Sequence, residues 1–232
     1  MPAETIYSSS ADGAIENGGP GYSGASWATV RNLTTGQYTS STSTTENMFA
    51  LLISGRGSPF YAIRRYFLYF DMSSFPAYSS IDSIILSVYR QFGGGDSVIA
   101  VRHDAPSVHV NNTEFVFFPS HDPAGGDSMT AYSSANTEGD GTYNTFALNA
   151  TAITELTACI EGSGNGGAGT SSFEVALVTN LDFSNTAATD FSVSTRWRSQ
   201  EYSGTGSDPH IKVVYSTTAA VTDNATFFGA NF

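Results

Sequence analysis

The chain has 232 residues, 40% hydrophobic and 13% aromatic, enough to build a core and too aromatic for intrinsic disorder. Only 13% are charged, and 9 basic against 21 acidic side chains give a formal net charge of -12, which repels phosphate backbones and argues against nucleic acid as a partner. A single cysteine, Cys159, excludes an intramolecular disulfide, and no stretch approaches the roughly 18 apolar residues of a membrane span.

Residues 1–47 are rich in Gly, Ser, Thr and Asn and are expected to join a sandwich built by residues 48–216; within them only Ala25–Val30 looks strand-like. Met1–Thr5 has neither the basic start nor the apolar run of a signal peptide, so the expectation is synthesis in a cytosol and release by another route, such as cell lysis. Met48–Ile53 is a short apolar run ended by Ser54-Gly55-Arg56-Gly57, a length that favours a buried strand. Tyr61–Asp71 is the clearest strand. Tyr66, Leu68 and Phe70 fall on one face and Arg65, Phe67 and Tyr69 on the other, which predicts a central strand covered on both sides. After Pro76, Ile84, Leu86 and Val88 alternate with Ile85, Ser87 and Tyr89 in a second strand. Gly93-Gly94-Gly95 then marks a turn, and Ser97–Arg102 reads as the returning strand of a hairpin.

Phe115–Phe118 reads as a strand, 122–127 as a loop and Thr145–Leu148 as a further strand. One helix is predicted from Asn149, where Ile153, Leu156 and Ile160 recur at helical spacing; Asn149 or Thr151 caps it and Gly162 ends it before a Gly-rich loop over 163–170. Strands follow at Phe173–Val178, Phe191–Trp197 and His210–Tyr215, the last entered through Asp208-Pro209. Short strands at this spacing, with turn chemistry between them, predict an all-β, jelly-roll-like antiparallel β-sandwich with one short helix.

Three segments carry a resemblance. Ile63–Pro76 runs through a strand into Phe70-Asp71-Met72-Ser73; Ile81–Tyr89 follows at a fitting distance; and Arg198–Tyr215 closes the pattern, with Ser199-Gln200-Glu201 within it. Together they resemble the DNRLRE-type β-sandwich domains, grouped with carbohydrate-binding modules and found in secreted bacterial proteins and in bacteriophage structural proteins. The match spans residues 48–216. It implies core and turn roles, with Asp71 accepting turn N–H groups, Pro76 fixing the turn exit, and Ile84, Leu86, Val88, Ile211, Val213 and Tyr215 filling the core. It implies no catalytic residue.

The residues themselves lead to the same place. His103, His109, His121 and His210 match no compact zinc spacing. Asp12, Glu16, Asp96, Asp104, Asp122, Asp127 and Asp140 sit in Gly-rich stretches where a Ca²⁺ would find carboxylates. No spacing forms an ordered Ca²⁺ loop, so they are read as solvated acids and no cofactor is assigned. Cys159 reads as a buried structural thiol. Arg64, Arg65, Arg196 and Arg198 lie within strand-like runs and form no basic patch. Tyr22, Trp27, Tyr38, Tyr132 and Tyr143 lie in loop-like regions, where they either stack on sugars or pack onto the sandwich ends; packing is the reading adopted.

Beyond Tyr215 the chain turns small and polar and then brings Phe227, Phe228 and Phe232. The segment 217–232 is either a docking arm, with those three residues binding a partner, or folds back on its own sandwich. The expectation is a non-enzymatic virion protein of a bacteriophage, a capsid-decoration or fibre-type component on the virion surface, homo-oligomeric and bound to other virion proteins such as the major capsid protein. The alternative is a carbohydrate-binding module of an extracellular bacterial protein, and surface glycans are partners common to both.

Overall fold

A computed structural model describes residues 1–54, 58–93, 97–103, 129–136, 139–164, 171–189, 194–200 and 202–217. The strands are β1 (Ala3–Tyr7), β2 (Gly13–Gly18), β3 (Tyr38–Ser40), β4 (Thr45–Ile53), β5 (Phe60–Asp71), β6 (Ser80–Gly93), β7 (Val98–Arg102), β8 (Thr142–Leu148), β9 (Ser172–Thr179), β10 (Ser194–Arg198) and β11 (His210–Ser216). The short helices among the described residues are α1 (Trp27–Arg31), α2 (Ala150–Ile160) and α3 (Asn180–Phe183). Every described strand pairing is antiparallel, and the chain is an antiparallel β-sandwich.

The sandwich is one sheet folded over on itself. β1, β11, β6 and β8 pair side by side as the first layer. β3, β2, β5, β9 and β7 form the second. β4 and β10 carry the sheet around the corner: β4 pairs with β10 through Thr45–Phe49 and with β5 through Phe49–Ile53, while β10 also pairs with the end of β6.

Alternation along the strands decides what each layer buries. Tyr66, Leu68 and Phe70 of β5, with Phe173, Val175 and Leu177 of β9, face Ile84, Leu86 and Val88 of β6 and Ile211 and Val213 of β11 in the main core. Phe67 and Tyr69 point the other way, with Ala176, Val178, Ile99 and Val101, into a second cluster under α1 and the segments around Met129 and Ala188. β5 is therefore covered on both faces, as its sequence implies. The outer side of the first layer has no such cover among the described residues: Tyr7, Ile85 and Phe92 are exposed there. Each buried large apolar side chain contributes roughly 1.5–3 kcal/mol, so the two clusters hold the middle layer from both sides.

Helix α2 forms where its spacing places it. Asn149 caps it by accepting from the Ala152 N–H at 3.1 Å, and Ala152, Leu156 and Cys159 turn one face into the main core. Gly162, at φ 74°, follows the last turn. Cys159 is buried, its thiol directed at the Ser172 carbonyl at 3.1 Å. In the turn after β5, Asp71 accepts the Ser73 N–H at 2.9 Å.

Three expectations need correction. Ala25–Val30 is no strand: Ser26 accepts the Thr29 N–H at 3.1 Å as an N-cap, and Trp27 and Val30 share the buried face of α1. A cap and one i,i+3 pair outweigh the strand preference of Trp, Thr and Val. Ser97–Arg102 does not return beside β6. β7 pairs with β9 instead, because Val98 and Ala100 belong to one core cluster and Ile99 and Val101 to the other; a place beside β6 would leave one apolar face in water. Finally, among the described residues α1 and α3 are short helices beyond the one expected at Asn149. The expected strand Phe115–Phe118, the loop 122–127 and Phe191 at the start of the β10 run lie outside the described residues.

Candidate binding surface

The deepest ionisable groups are tied to one another. Arg65 donates from Nε and Nη2 to the two carboxylate oxygens of Asp182 at 2.7 and 2.9 Å, and Arg31 Nε donates to the same carboxylate at 3.2 Å and to the Asp182 carbonyl at 2.9 Å. All three side chains have 0% exposure. His103 Nδ1 lies 3.4 Å from the carboxylate of Glu174, both buried, with the Phe67 ring centroid 4.6 Å from the imidazole. Asp12 is also buried and accepts from the Ser8 hydroxyl at 3.0 Å and the Tyr66 hydroxyl at 3.3 Å. The Asp182 contacts tie α1 and α3 to β5, and the Glu174 contact ties the end of β7 to β9. Among the described residues no group of three or more His, Cys, Asp or Glu is placed to hold a metal ion, and no helix is long and apolar enough to cross a membrane.

The open face of the first layer carries a row of rings. Tyr7 of β1 pairs in register with His210 of β11, His210 with Ser87 of β6, and Tyr89 of β6 with Tyr143 of β8. Residues two apart share a face, so the rings line up. Tyr7 and His210 are 5.5 Å apart between centroids, His210 and Tyr143 5.0 Å, and Tyr143 and Tyr89 5.5 Å. The Arg198 guanidinium continues the row, 4.2 Å from the Tyr89 ring and 3.9 Å from the Tyr202 ring. The Tyr89 hydroxyl donates to the Gly141 carbonyl at 2.7 Å and the Tyr143 hydroxyl to the Asp208 carbonyl at 3.2 Å, which fixes the two rings. Desolvation pushes the Tyr143 phenol up, with the Asp208 carboxylate adding to it. Burial pushes the Asp208 carboxyl up, and His210 partly offsets that.

A second feature lies where β2, β5 and β4 run beyond the main core. Phe49, Leu51 and Ile53 of β4 pair in register with Arg64, Ala62 and Phe60 of β5. They line an apolar trough of about 480 Å³, completed by Gly19 and Pro20, with Glu16 and Asn47 at one end. Its floor is low because Gly18 pairs with Ala62. A Cβ at Gly18, where φ is +96°, would run into the Tyr61 carbonyl oxygen. Arg64 bridges Glu46 at 2.6 Å and Glu16 at 3.4 Å. Desolvation still holds the Glu16 carboxyl above its ordinary value, with Arg64 pulling it partly back.

The candidate residues named from the sequence fall in different places. Trp27 and Tyr132 are buried, Trp27 with its Nε1 donating to Asn185 and Tyr132 stacked 5.8 Å from Phe173, so neither offers a ring to a ligand. Tyr38 is 61% exposed on β3. Glu16 lies on a strand and Asp12 is buried, so neither is a solvated loop acid. Asp140 pairs with Arg90 at 2.9 Å. Asp96, Asp104, His109, His121, Asp122, Asp127 and the tail residues Phe227, Phe228 and Phe232 lie outside the described residues. Tyr7 and His210 were not picked out as ring-bearing site residues. The available signal was their alternation with inward-facing Ile6 and Ile211. No family model matches the chain, and no curated protein matches it.

Proposed function

We propose that this chain is a non-catalytic structural component of a bacteriophage particle, of the capsid-decoration or fibre type, exposed on the virion surface and bound to other virion proteins such as the major capsid protein. The observation that carries this reading is how the fold spends its polar chemistry. Among the described residues, Arg31 and Arg65 are buried on Asp182 and His103 on Glu174, while a strand face with a row of rings and an apolar trough lie open to contact. The resemblance of residues 48–216 to DNRLRE-type domains supports the phage setting. Immunogold microscopy with antibody to this chain is expected to label particles at regular positions on heads or fibres; label confined to particle-free material would refute the proposal.

The ring row supports a second reading, a carbohydrate-binding module. Sugars stack on fixed aromatic faces flanked by a few polar groups, and Tyr7, His210, Tyr143 and Tyr89 with Arg198 supply both. A glycan array distinguishes it. Binding that disappears in Tyr7→Ala and Tyr143→Ala favours this role, and a blank array excludes it.

A further inference from the structure

We propose that the trough on β2, β5 and β4 is a binding site for an organic cation with an apolar tail: an ammonium group held between Glu16 and Tyr38, on an alkyl or arylalkyl chain that lies along Phe49, Leu51, Ile53 and Phe60. The proposal goes beyond the structural-component reading and does not depend on it.

The walls select the tail. Phe49, Leu51, Ile53 and Phe60 over the small Ala62 enclose about 480 Å³. Sites for small molecules run from roughly 300 to 1,000 Å³ and are mostly apolar, with a few polar groups that set orientation. Phe49 pairs with Arg64 at one end of the trough and Ile53 with Phe60 at the other, a run of about 13 Å at the rise of a strand. The polar lining side chains, Glu16 and Asn47, gather at the Phe49 end. A ligand that fits is therefore linear and polar at one end.

Charge selects the head. Glu16 and Glu46 share the Arg64 guanidinium. Glu46 takes the short contact at 2.6 Å and Glu16 is left with one at 3.4 Å, so the three side chains carry one negative charge in excess. Among the described residues no other side chain donates to the Glu16 carboxylate. Burial holds its carboxyl above the ordinary value despite Arg64, as expected of a carboxylate short of donors. Tyr38 of β3 pairs in register with Glu16 and is 61% exposed. Side chains directly opposite in an antiparallel pair stand about 5 Å apart, so an open ring flanks the carboxylate. Together they suit an ammonium, through a charge-assisted hydrogen bond and cation–π attraction. Arg196 also stands near this end, donating to Asn47 at 2.9 Å, but it lies over the Phe92 ring at 4.5 Å. Its strand β10 is three steps from β2 across β4 and β5, about 14 Å along the sheet.

Amide-shift titrations of the full chain at pH 7 with octylamine, octanol and octanoate test this, because the three share a tail and differ in the head. Octylamine is expected to give saturable shifts centred on Phe49–Ile53 and to bind about tenfold or more tighter than octanol, the scale of one charge-assisted hydrogen bond, with octanoate weakest. Glu16→Gln should reduce octylamine to the affinity of octanol and leave octanol unchanged. Tyr38→Leu, on an exposed edge strand, should weaken octylamine severalfold with octanol again unchanged. Phe49→Ser should weaken all three, and unfolding midpoints check that each variant folds. Shifts that do not saturate or that map elsewhere, an amine that binds no tighter than the alcohol, or a preference for the amine that survives Glu16→Gln or Tyr38→Leu undiminished overturns the proposal.

Discussion

Asp182 faces two guanidinium groups in a site without solvent, and the sequence offered no hint of the meeting. Arg65 is 117 residues away and Arg31 151. What could be read locally was that Arg65 sits inside a strand with apolar neighbours on both faces, where an unpaired charge is untenable. Its partner had to come from elsewhere, and it comes from the helix that follows β9, whose Asp182 N–H is also held by Thr179 at 3.2 Å. A buried ion pair adds little relative to apolar packing, but breaking one strands a charge. Asp182→Asn keeps the shape and removes the charge that two arginines share. Urea unfolding should show a loss of about 3–5 kcal/mol at unchanged slope; a loss below about 1 kcal/mol would mean that the cluster is not a structural brace.

At the scale of elements, the longer strands were legible, while the short N-terminal strands, the helical form of α1 and the partner of the doubly apolar β7 were not. β6 and β11 follow their patterns because each has a distinct inward set, and β5 and β9 read as strands although both of their faces are covered. β7 has apolar residues at every position from Val98 to Val101, a pattern that gives no preferred face and therefore no partner; only the two clusters on either side of it decide. α1 is five residues long, too short for periodicity to outweigh β-favouring side chains in a reading of the chain alone. Strand β2 illustrates a further limit. Its Glu16 was read as a loop acid, yet register sets it beside Arg64 on the trough wall. Burial raises its carboxyl in the folded chain despite that arginine. The folded form thus holds the proton to higher pH than the unfolded form. The stability this group contributes is present below the unfolded value and is lost as pH rises through the folded value. Glu16→Gln removes that loss, so urea midpoints measured across pH should move in the variant's favour from the ordinary carboxylate range upward. Parallel pH profiles for variant and parent would contradict the assignment.

For the molecule as a whole, the all-β sandwich was visible in the sequence because two-residue alternation recurs between turn residues, and burial enforces that alternation wherever a face is dry. The binding surface was harder to see. Trp27 and Tyr132 are core residues, in line with the packing reading adopted for them. Tyr7 lay in a segment with no predicted strand and His210 at the start of one, and they join Tyr143 and Tyr89 only after β1, β11, β6 and β8 come side by side. The sandwich is proposed to be a structural part of a phage particle, and quantitative mass spectrometry of gradient-purified particles is the decisive check. This chain is expected at a fixed ratio to the major capsid protein across the particle fractions; a chain that tracks the soluble fractions, with no constant ratio to capsid, would overturn the proposal.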